Sequence, residues 1–503
     1  MGPRLFLLAV SALALSGCMT VGPNFKAPPS PSTAPSYAMA GETPTASVRL
    51  DPEARTAGPW WQAFGSPTLD QTVRLALADS PGVAQAKATL ERYQAAERAT
   101  RGERSPEVTA TPSVQRQKFN PKAFGISDKT TVPGGFSGFS GRTFNLFSLT
   151  GRVTYDLDLF GGGRRKVEEA GARTRQAAHE ADAAYLTLSG NVALQAMRIA
   201  GLRAEIAALT RINDDDRALL DLAHKAFDIG GIPRTTVTQV EAQLAEDDAI
   251  LPPLRRQYDE ARHQLALLVG KSPADWAAPD FELTQMAVPA SVPVVLPSSL
   301  VRKRPDILAA EAELHAATAA IGVALADQYP SIRLSANGGF SGLTPGDVIS
   351  PDASAWTLLG GVAAPLFDGG ARKARTKEAR AEALEALARY RITVLRAFVE
   401  VSDAMAALQT DQTELEALTR AVARSQEGAD VTLAAARLGA RTAGDVIQSR
   451  RQLYSDQRSL ARAQAQRLSD LVDLYAASAA DWRDAQTSAQ GSGGGPGGVG
   501  PGR

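Results

Sequence analysis

The chain has 503 residues, and its 54 Lys and Arg residues balance 54 Asp and Glu residues. Because there is no basic excess to neutralise phosphates, the composition argues against a nucleic-acid partner. The only cysteine is Cys18, which excludes an intramolecular disulfide.

Residues 1–17 have the pattern of a secretory signal peptide. Arg4 precedes an apolar run at 5–15, and about 11 residues is too short to span a bilayer. The sequence Leu-Ser-Gly-Cys ending at Cys18 is similar to a bacterial lipobox, which predicts an S-diacylglycerol and an N-acyl chain (palmitate) on Cys18 and no other cofactor. Met19 follows, where lipoproteins kept in the inner membrane carry aspartate, so the outer membrane is favoured. No later stretch approaches 18 apolar residues, so no transmembrane helix is expected.

A proline-bearing segment follows the lipobox, and we interpret residues 18–58 as an extended leader. Residues 59–105 are predicted to form the first helix of the body. Trp60 and Trp61 stand just before it, where packing against a neighbouring helix is favoured over anchoring at a membrane interface. At the other end, the Gly-rich residues 486–503 are expected to be a disordered tail.

Two regions, 106–160 and 330–367, have the alternation of membrane-crossing strands. In the run TFNLFSLTGRVTYDLDLF, which begins at Thr143, the apolar residues Phe147, Leu149 and Val153 alternate with polar ones. Each run has the roughly 9 to 11 residues that cross a bilayer as a tilted strand. The intervening loops, 119–142 and 341–352, are expected to face the exterior. Soluble hairpins packed on a helix are the alternative.

The chain contains an internal repeat. Pro305 and Pro330 follow Pro81 and Pro106 by the same 224 residues (305 − 81 and 330 − 106). LFGGGRR at 159–165 returns as LFDGGAR at 366–372. Helical periodicity, most extended over 366–438, predicts a second-repeat helix at 298–329 and long helical hairpins at 161–275 and 368–485, with a linker at 276–297.

The strand count bears on the number of subunits. Four strands cannot close a barrel, and an open edge in lipid leaves backbone groups unpaired. Three copies would supply twelve strands, enough to enclose a lumen, whereas two would supply only eight. The predicted fold class is therefore mixed α and β: a long α-helical periplasmic barrel, continuous with an antiparallel transmembrane β-barrel that is completed by trimerisation.

Four motifs in the same order resemble one known family. They are WWQAFGSPTLD (60–70), YDLDLFGG (155–162), the stretch LPSSLVRKRPDILAAEAELHAATAAIGVALADQYPSIRLSA (296–336) and PLFDGGARKA (365–374). They are similar to the outer membrane factor family, the TolC-like channels, in its lipoprotein (NodT-type) branch. The resemblance implies a homotrimer in outer-membrane lipid, joined through a periplasmic adaptor (membrane fusion protein) to an inner-membrane transporter in a tripartite efflux system.

The two turns that end the long helices are the candidate docking elements. The first contains Ile229, Gly230 and Gly231, and the second contains Leu438, Gly439 and Ala440. Glycine at a helix end permits a left-handed cap and close approach of another backbone. Ordinary helix termination would also explain these glycines. In the resembled family, similar small-residue turns dock the hairpins of the adaptor.

A gate is expected beside the second turn. The resembled family carries an aspartate on the helix that follows this turn, and the matching position here is Gln448. Asp445 lies three residues earlier and can face the same way on a helix. We therefore hypothesise a periplasmic gate formed by Asp445 and Gln448 with Arg437 and Arg441, with the use of a carboxylate ring left open.

Enzymatic and metal-binding roles are not indicated. FGGGRRK at 160–166 lacks the G-K-[ST] ending of a phosphate loop, and the four histidines have no partner at ligand spacing. The basic run at 302–304 is expected to be a solvated helix start. The predicted function is export of small molecules, such as drugs and toxic compounds. The alternatives are the outer-membrane component of a type I protein secretion system and a non-conducting structural lipoprotein.

Overall fold

The computed structural model describes residues 20–32, 36–37, 39, 49–50, 59–118, 143–289, 291–292 and 297–479. The predicted signal peptide, Cys18, the loop at 119–142 and the tail at 486–503 lie outside these residues. Two compact units are present: the first comprises Met1–Ala27, Glu91–Arg175 and Ala312–Leu387, and the second comprises Pro28–Leu90, Gln176–Glu311 and Ala388–Arg503.

The helices of the described residues repeat in length. They are α1 (Pro67–Asp79), α2 (Pro81–Gly102), α3 (Gly162–Asp228), α4 (Arg234–Val269), α5 (Pro297–Leu300), α6 (Pro305–Ala326), α7 (Ala371–Arg437) and α8 (Ala443–Ser478). Both α2 and α6 have 22 residues, α3 and α7 have 67, and α4 and α8 have 36. Short 3-10 turns occupy Trp60–Phe64, Leu283–Gln285, Asp347–Ile349 and Pro351–Ala353.

The single helix expected over 59–105 is divided in the structure. A 3-10 turn precedes α1, and α1 ends at Asp79, because the next residue, Ser80, has an extended ψ of 125°. The reason is Pro81, because the ring of a proline pushes the preceding residue out of the helical region. Pro81 itself begins α2, where a missing N–H costs nothing.

The first unit contains a four-stranded antiparallel sheet. Its strands lie side by side in the order β2 (Glu107–Lys118), β3 (Thr143–Leu157), β5 (Ser331–Gly342) and β6 (Ser354–Ala363). In the second unit, the two-residue strands β1 (Arg49–Leu50) and β4 (Ser291–Val292) pair in parallel. The register of the larger sheet sets Glu107 opposite Thr154, and Ser331 opposite Ala363.

These ladders correct the alignment of the two repeats at the strand-to-helix junction. The sequence motifs align Phe160 with Phe367, which are 207 residues apart (367 − 160). In the structure the interval is 209, both for the strands (363 − 154) and for the starts of the long helices (371 − 162). Gly161 and Gly370 are then counterparts, and both have left-handed φ values, +78° and +89°. The left-handed backbone at these two glycines therefore identifies the counterpart positions better than the similarity of the two sequence motifs does.

Each face of the sheet has its own chemistry, as the alternation predicts. Rows across the strands on one face are apolar, for example Val108, Val153, Ala336 and Leu358. The opposite face is polar: the Nε of Arg333 donates to Asp156 at 2.7 Å, and the Nε of Arg152 donates to the Asn337 amide oxygen at 2.8 Å. An apolar face and a polar face are what a sheet between lipid and water requires.

The core of the second unit contains a cluster of buried aromatic side chains. Trp60, Trp61 and Phe64 are buried, and Trp60 stacks on Tyr475 with ring centroids 5.7 Å apart. The indole N–H of Trp61 donates to Asp70 at 2.9 Å. The prediction that the two tryptophans pack internally is confirmed.

The basic run before α6 is not fully solvated, contrary to expectation. Arg304 is only 9% exposed. Its guanidinium contacts Asp306 at 2.8 Å and Glu400 at 2.7 Å, and it donates to the Ala477 carbonyl at 3.0 Å. A buried guanidinium must be paired, and two of these acceptors come from residues distant in sequence. The run therefore contains a structural ion-pair centre.

One helix of the described residues, α6, is long and apolar enough for a membrane span. Half of its most apolar 18-residue stretch is buried within the protein. Its alanine-rich composition also suits a core helix, so this finding is weak evidence of a span.

Candidate functional site

The turn after α3 closes with two backbone hydrogen bonds. The N–H of Gly230 donates to the carbonyl of Phe227, and that of Gly231 donates to the carbonyl of Ala226, each at 2.8 Å. Gly230 has a φ of +76°. This pattern is the Schellman motif, which pairs the last helical carbonyls and requires a left-handed residue at the position of Gly230.

The turn after α7 has the same geometry. Gly439 donates to the carbonyl of Ala436 and Ala440 donates to the carbonyl of Ala435, each at 2.9 Å, and Gly439 has a φ of +75°. The second repeat therefore ends its long helix in the same way as the first. The structure places all six predicted docking residues in these two turns.

Each turn presents one large apolar side chain at the same position, immediately before the left-handed glycine. Ile229 is 85% exposed and Leu438 is 86% exposed. Burying such a side chain is worth about 1.5–3 kcal/mol, so both are strong candidates for contact with another molecule.

The two turns differ in how the next helix starts. Before α4, Pro233 is the N-cap and supplies no side-chain hydrogen bond. Before α8, Thr442 and Asp445 form a capping box: the Thr442 Oγ1 accepts the Asp445 N–H at 3.2 Å, and an Asp445 carboxylate oxygen accepts the Thr442 N–H at 2.9 Å. Hydrogen bonds from the backbone and side chain of Thr442 lower the pKa of Asp445.

The predicted gate residues are brought to one end of the hairpin: Arg437 ends α7, Arg441 lies in the turn, and Asp445 and Gln448 lie in the first turns of α8. Asp445 is committed to the capping box, while Gln448, Arg437 and Arg441 are not buried. Arg441 contributes electrostatically to lowering the pKa of Asp445.

Above the turns, a network of aspartates that the sequence analysis did not identify links α3, α4 and α8. Burial, together with the neighbouring Asp247, raises the pKa of Asp216 to about 6. Arg451 of α8 lies 3.3 Å from Asp247. Nearby, Arg450 contacts Asp215 at 2.8 Å. The sequence feature that could have indicated this network is the run Asn-Asp-Asp-Asp at 213–216, because three consecutive acids are unusual within a long helix.

A second acid pair joins α7 to α8. Asp411 is 6% exposed, and burial and the nearby Asp470 raise its pKa to about 7. Burial also raises the pKa of Asp473, and Asp470 adds to the effect. The negative charge of a neighbouring carboxylate favours the protonated form of Asp411, because two like charges repel. In both repeats, a carboxyl group on the long helix thus has its pKa raised by burial and by a carboxyl group on the helix that returns from its tip.

In the first unit, the segment just after Cys18 is held by a buried arginine. The guanidinium of Arg165 donates to the carbonyls of Val21 and Gly22, each at 3.1 Å, and to the Asn24 side chain at 2.8 Å. It also contacts Glu168 at 2.6 Å. Cys18 itself lies outside the described residues. Sequence reasoning missed Arg165 because its partners in this segment are more than 140 residues away.

Among the described residues, no group of three or more His, Cys, Asp or Glu side chains is arranged to hold a metal ion. His315 instead stacks on Phe25 with ring centroids 4.3 Å apart, and its Nε2 lies 3.0 Å from a Glu168 carboxylate oxygen.

Comparison with known proteins identifies the family. The family model described as outer membrane efflux protein matches residues 72–271 and 296–480, one segment in each repeat. An antibiotic efflux pump outer membrane protein of Pseudomonas putida, ArpC, is 30% identical over 96% of both chains. Nodulation protein T of Rhizobium leguminosarum bv. viciae is also 30% identical, over 93% of this chain and 92% of its own.

A solved structure gives the same result. The outer-membrane channel OprN superimposes with a TM-score of 0.81 and 26% identity, covering 92% of this chain and 99% of its own. With one family model matching most of the chain, the protein belongs to the outer membrane efflux protein family. The resemblance found in the four sequence motifs and the predicted fold class are both confirmed.

Proposed function

We propose that this chain is the outer-membrane channel subunit of a tripartite efflux pump and that it works as a homotrimer, exporting small molecules to the exterior without bond chemistry. The observation that carries this proposal is the sheet of the first unit. It has four strands, an apolar face and a polar face, and its two edges, β2 and β6, pair with no other strand in the part of the chain that the structure describes. Such edges are not tolerated in lipid, so other copies must pair with them.

The helix turns are the proposed periplasmic contact. Ile229 and Leu438 are exposed at matching positions beside glycines that allow a close backbone approach. A periplasmic adaptor with apolar helical tips fits this surface, and it would connect the channel to an inner-membrane transporter. The names of the relatives, which include an antibiotic efflux pump outer membrane protein, support efflux over protein secretion.

The gate and the anchor complete the proposal. Asp445, Gln448, Arg437 and Arg441 from three copies would constrict the tunnel beside the second turn. Cys18 would carry the diacylglycerol and the N-acyl chain. Support for the anchor comes from Arg165, whose hydrogen bonds hold Val21, Gly22 and Asn24, a few residues after Cys18, beside the start of α3.

Conductance in planar bilayers tests the channel directly. The purified protein is expected to form discrete conducting units, which a non-conducting lipoprotein would not do. In cells, deletion is expected to sensitise to small-molecule toxicants, while secretion of a type I substrate stays normal. Normal sensitivity with lost secretion would support the secretion alternative instead, and a silent bilayer would refute the channel.

A further inference from the structure

The counterpart helices α2 and α6 differ in burial where they lie in the first unit. No residue of α2 from 91 to 102 is buried, whereas no residue of α6 from 315 to 326 is exposed. α6 contacts two long helices: Ile321 packs with Ala379 and Ala383 of α7, and His315 pairs with Glu168 of α3. The α2 segment contacts α3 through the bond from Thr174 to the Tyr93 carbonyl. α2 therefore lacks one of the two neighbours that its counterpart has.

The neighbour that α2 lacks is identified by the repeat. Within the chain, α6 of the second repeat packs on α3 of the first. The equivalent contact for α2 would be with α7, the counterpart of α3. Because the equivalent α7 positions 371, 374 and 377 are exposed in the single chain, the α7 that meets α2 belongs to a second copy. The contacts between α3 and α6 then predict the contacts between α2 of one copy and α7 of the other, an interface that we call the seam.

Three pairs of positions define the packing of α3 on α6. A Cβ on Gly162 would lie 2.9 Å from the Ala326 Cβ, and a Cβ on Gly322 would lie 2.7 Å from the Arg165 Cγ. In the third pair, Glu168 bonds His315 at 3.0 Å. The first two pairs set a residue against a glycine that leaves room for it, and the third is a charge pair.

The counterparts of these pairs remain complementary with the roles exchanged. Each α3 residue has its counterpart in α7 209 residues later, and each α6 residue has its counterpart in α2 224 residues earlier. The counterpart pairs are Ala371 with Gly102, Ala374 with Arg98, and Lys377 with Glu91. The glycine moves to the other helix in the first pair, and the arginine does so in the second. In the third pair the acid moves to the other helix, opposite a lysine. All six positions are exposed in the single chain.

The strands predict the same seam. Leu157 of β3 lies opposite Ile332 of β5, and the counterparts of these residues are Leu366 and Val108. Both are apolar and uncovered, with Leu366 95% and Val108 73% exposed. In the same register, Gly361 and Ser113 are the counterparts of Arg152 and Asn337, whose side chains touch.

We infer that β6 and α7 of one copy pack against β2 and α2 of the next copy, in the register that sets Leu366 against Val108 and Lys377 against Glu91. This seam rests on the trimer proposed above and specifies its contacts. Its partner is a second copy of this chain, because the surfaces that match are on opposite edges of the same unit. Repeated three times, one register closes the ring.

Cysteine cross-linking tests the strand register. In the full-length protein, Gly361→Cys with Ser113→Cys is expected to give a ladder of covalent dimer and trimer on oxidation. Gly361→Cys with Gln115→Cys is the matched control, displaced by two residues on the same face, and is expected to react several-fold less. Each single-cysteine variant is oxidised in parallel, to reveal any cross-link that forms through Cys18. Equal or reversed yields would overturn the register.

Charge reversal tests the helix pair. Lys377→Glu is expected to give about fivefold more dissociated chain in detergent, the strength of an exposed pair. Adding Glu91→Lys should restore the trimer. Failure of the double variant to restore the trimer would overturn this pairing. If native mass spectrometry finds a stable trimer without these effects, the seam is wrong and the proposed channel stands. A monomer would instead overturn the trimer itself.

Discussion

The two helix turns share a backbone and differ in the start of the next helix. Gly230 and Gly439 have φ values of +76° and +75°, and each follows an exposed apolar residue. Only the second turn leads into a capping box, built by Thr442 and Asp445. The two repeats keep glycine where the backbone is left-handed, and they differ in the polar residues that start the next helix. The proposed docking would rest on the shared features, and the proposed gate on the feature that only the second turn has.

The largest expected effect is on docking. Ile229→Asp and Leu438→Asp each place a charge where an apolar contact is proposed, and a lost contact of about 1.5–3 kcal/mol corresponds to at least tenfold weaker binding. Efflux, measured as the minimal inhibitory concentration of an exported toxicant, should fall toward that of the deletion strain. Leu222→Asp, on an exposed α3 position away from the turn, is the control. Equal loss in the control would remove the turns from docking.

Next in size is the gate, where the second turn is expected to act alone. Replacing both Asp445 and Gln448 by alanine should raise single-channel conductance or antibiotic leak, because the constriction loses its polar side chains. Thr442→Ala separates capping from gating, since it removes a cap worth about 1 kcal/mol but keeps the carboxylate. If Thr442→Ala opens the channel as fully as the double variant, Asp445 acts only through the capping box.

A smaller effect is expected from the carboxyl pairs. The pKa of Asp411 is raised to about 7, so the stability that its protonated form contributes is lost as the pH rises through 7. The free energy of unfolding should fall by about 2 kcal/mol between pH 5 and pH 8. Asp411→Asn should flatten this dependence and stabilise the protein at pH 8, as measured by thermal unfolding. Asp403→Asn on the same helix is the control, and a pH dependence unchanged by Asp411→Asn would contradict the pairing.

The smallest effect tests the equivalence of the turns. Gly230→Ala and Gly439→Ala each force a side chain into the left-handed region, at a cost of about 1 kcal/mol. Because the two φ values agree, the two losses in denaturant unfolding should agree as well. Gly428→Ala, inside α7 with open space around it, should be neutral or stabilising. Unequal losses at the two turns would show that their surroundings differ more than their backbones.

Much of the fold could be predicted because its signals are local. Alternation along Thr143 to Leu157, glycine at the turns and proline at Pro81 and Pro305 each act on a few neighbouring residues. The repeat was visible for the same reason. The site was predicted less completely: the turns were located, but the capping role of Asp445 and the exposure of Ile229 and Leu438 required the structure.

The sequence by itself therefore determined the helices, the strands and their duplication, since periodicity and turn chemistry are properties of short segments. Only the tertiary structure decided that Arg304 and Asp411 are buried and that Arg165 holds residues 21–24. It also decided which residues are counterparts, moving the alignment by two positions so that Gly161 matches Gly370. Burial and charge pairing depend on which distant segments come together, and this information is absent from any one stretch of the chain.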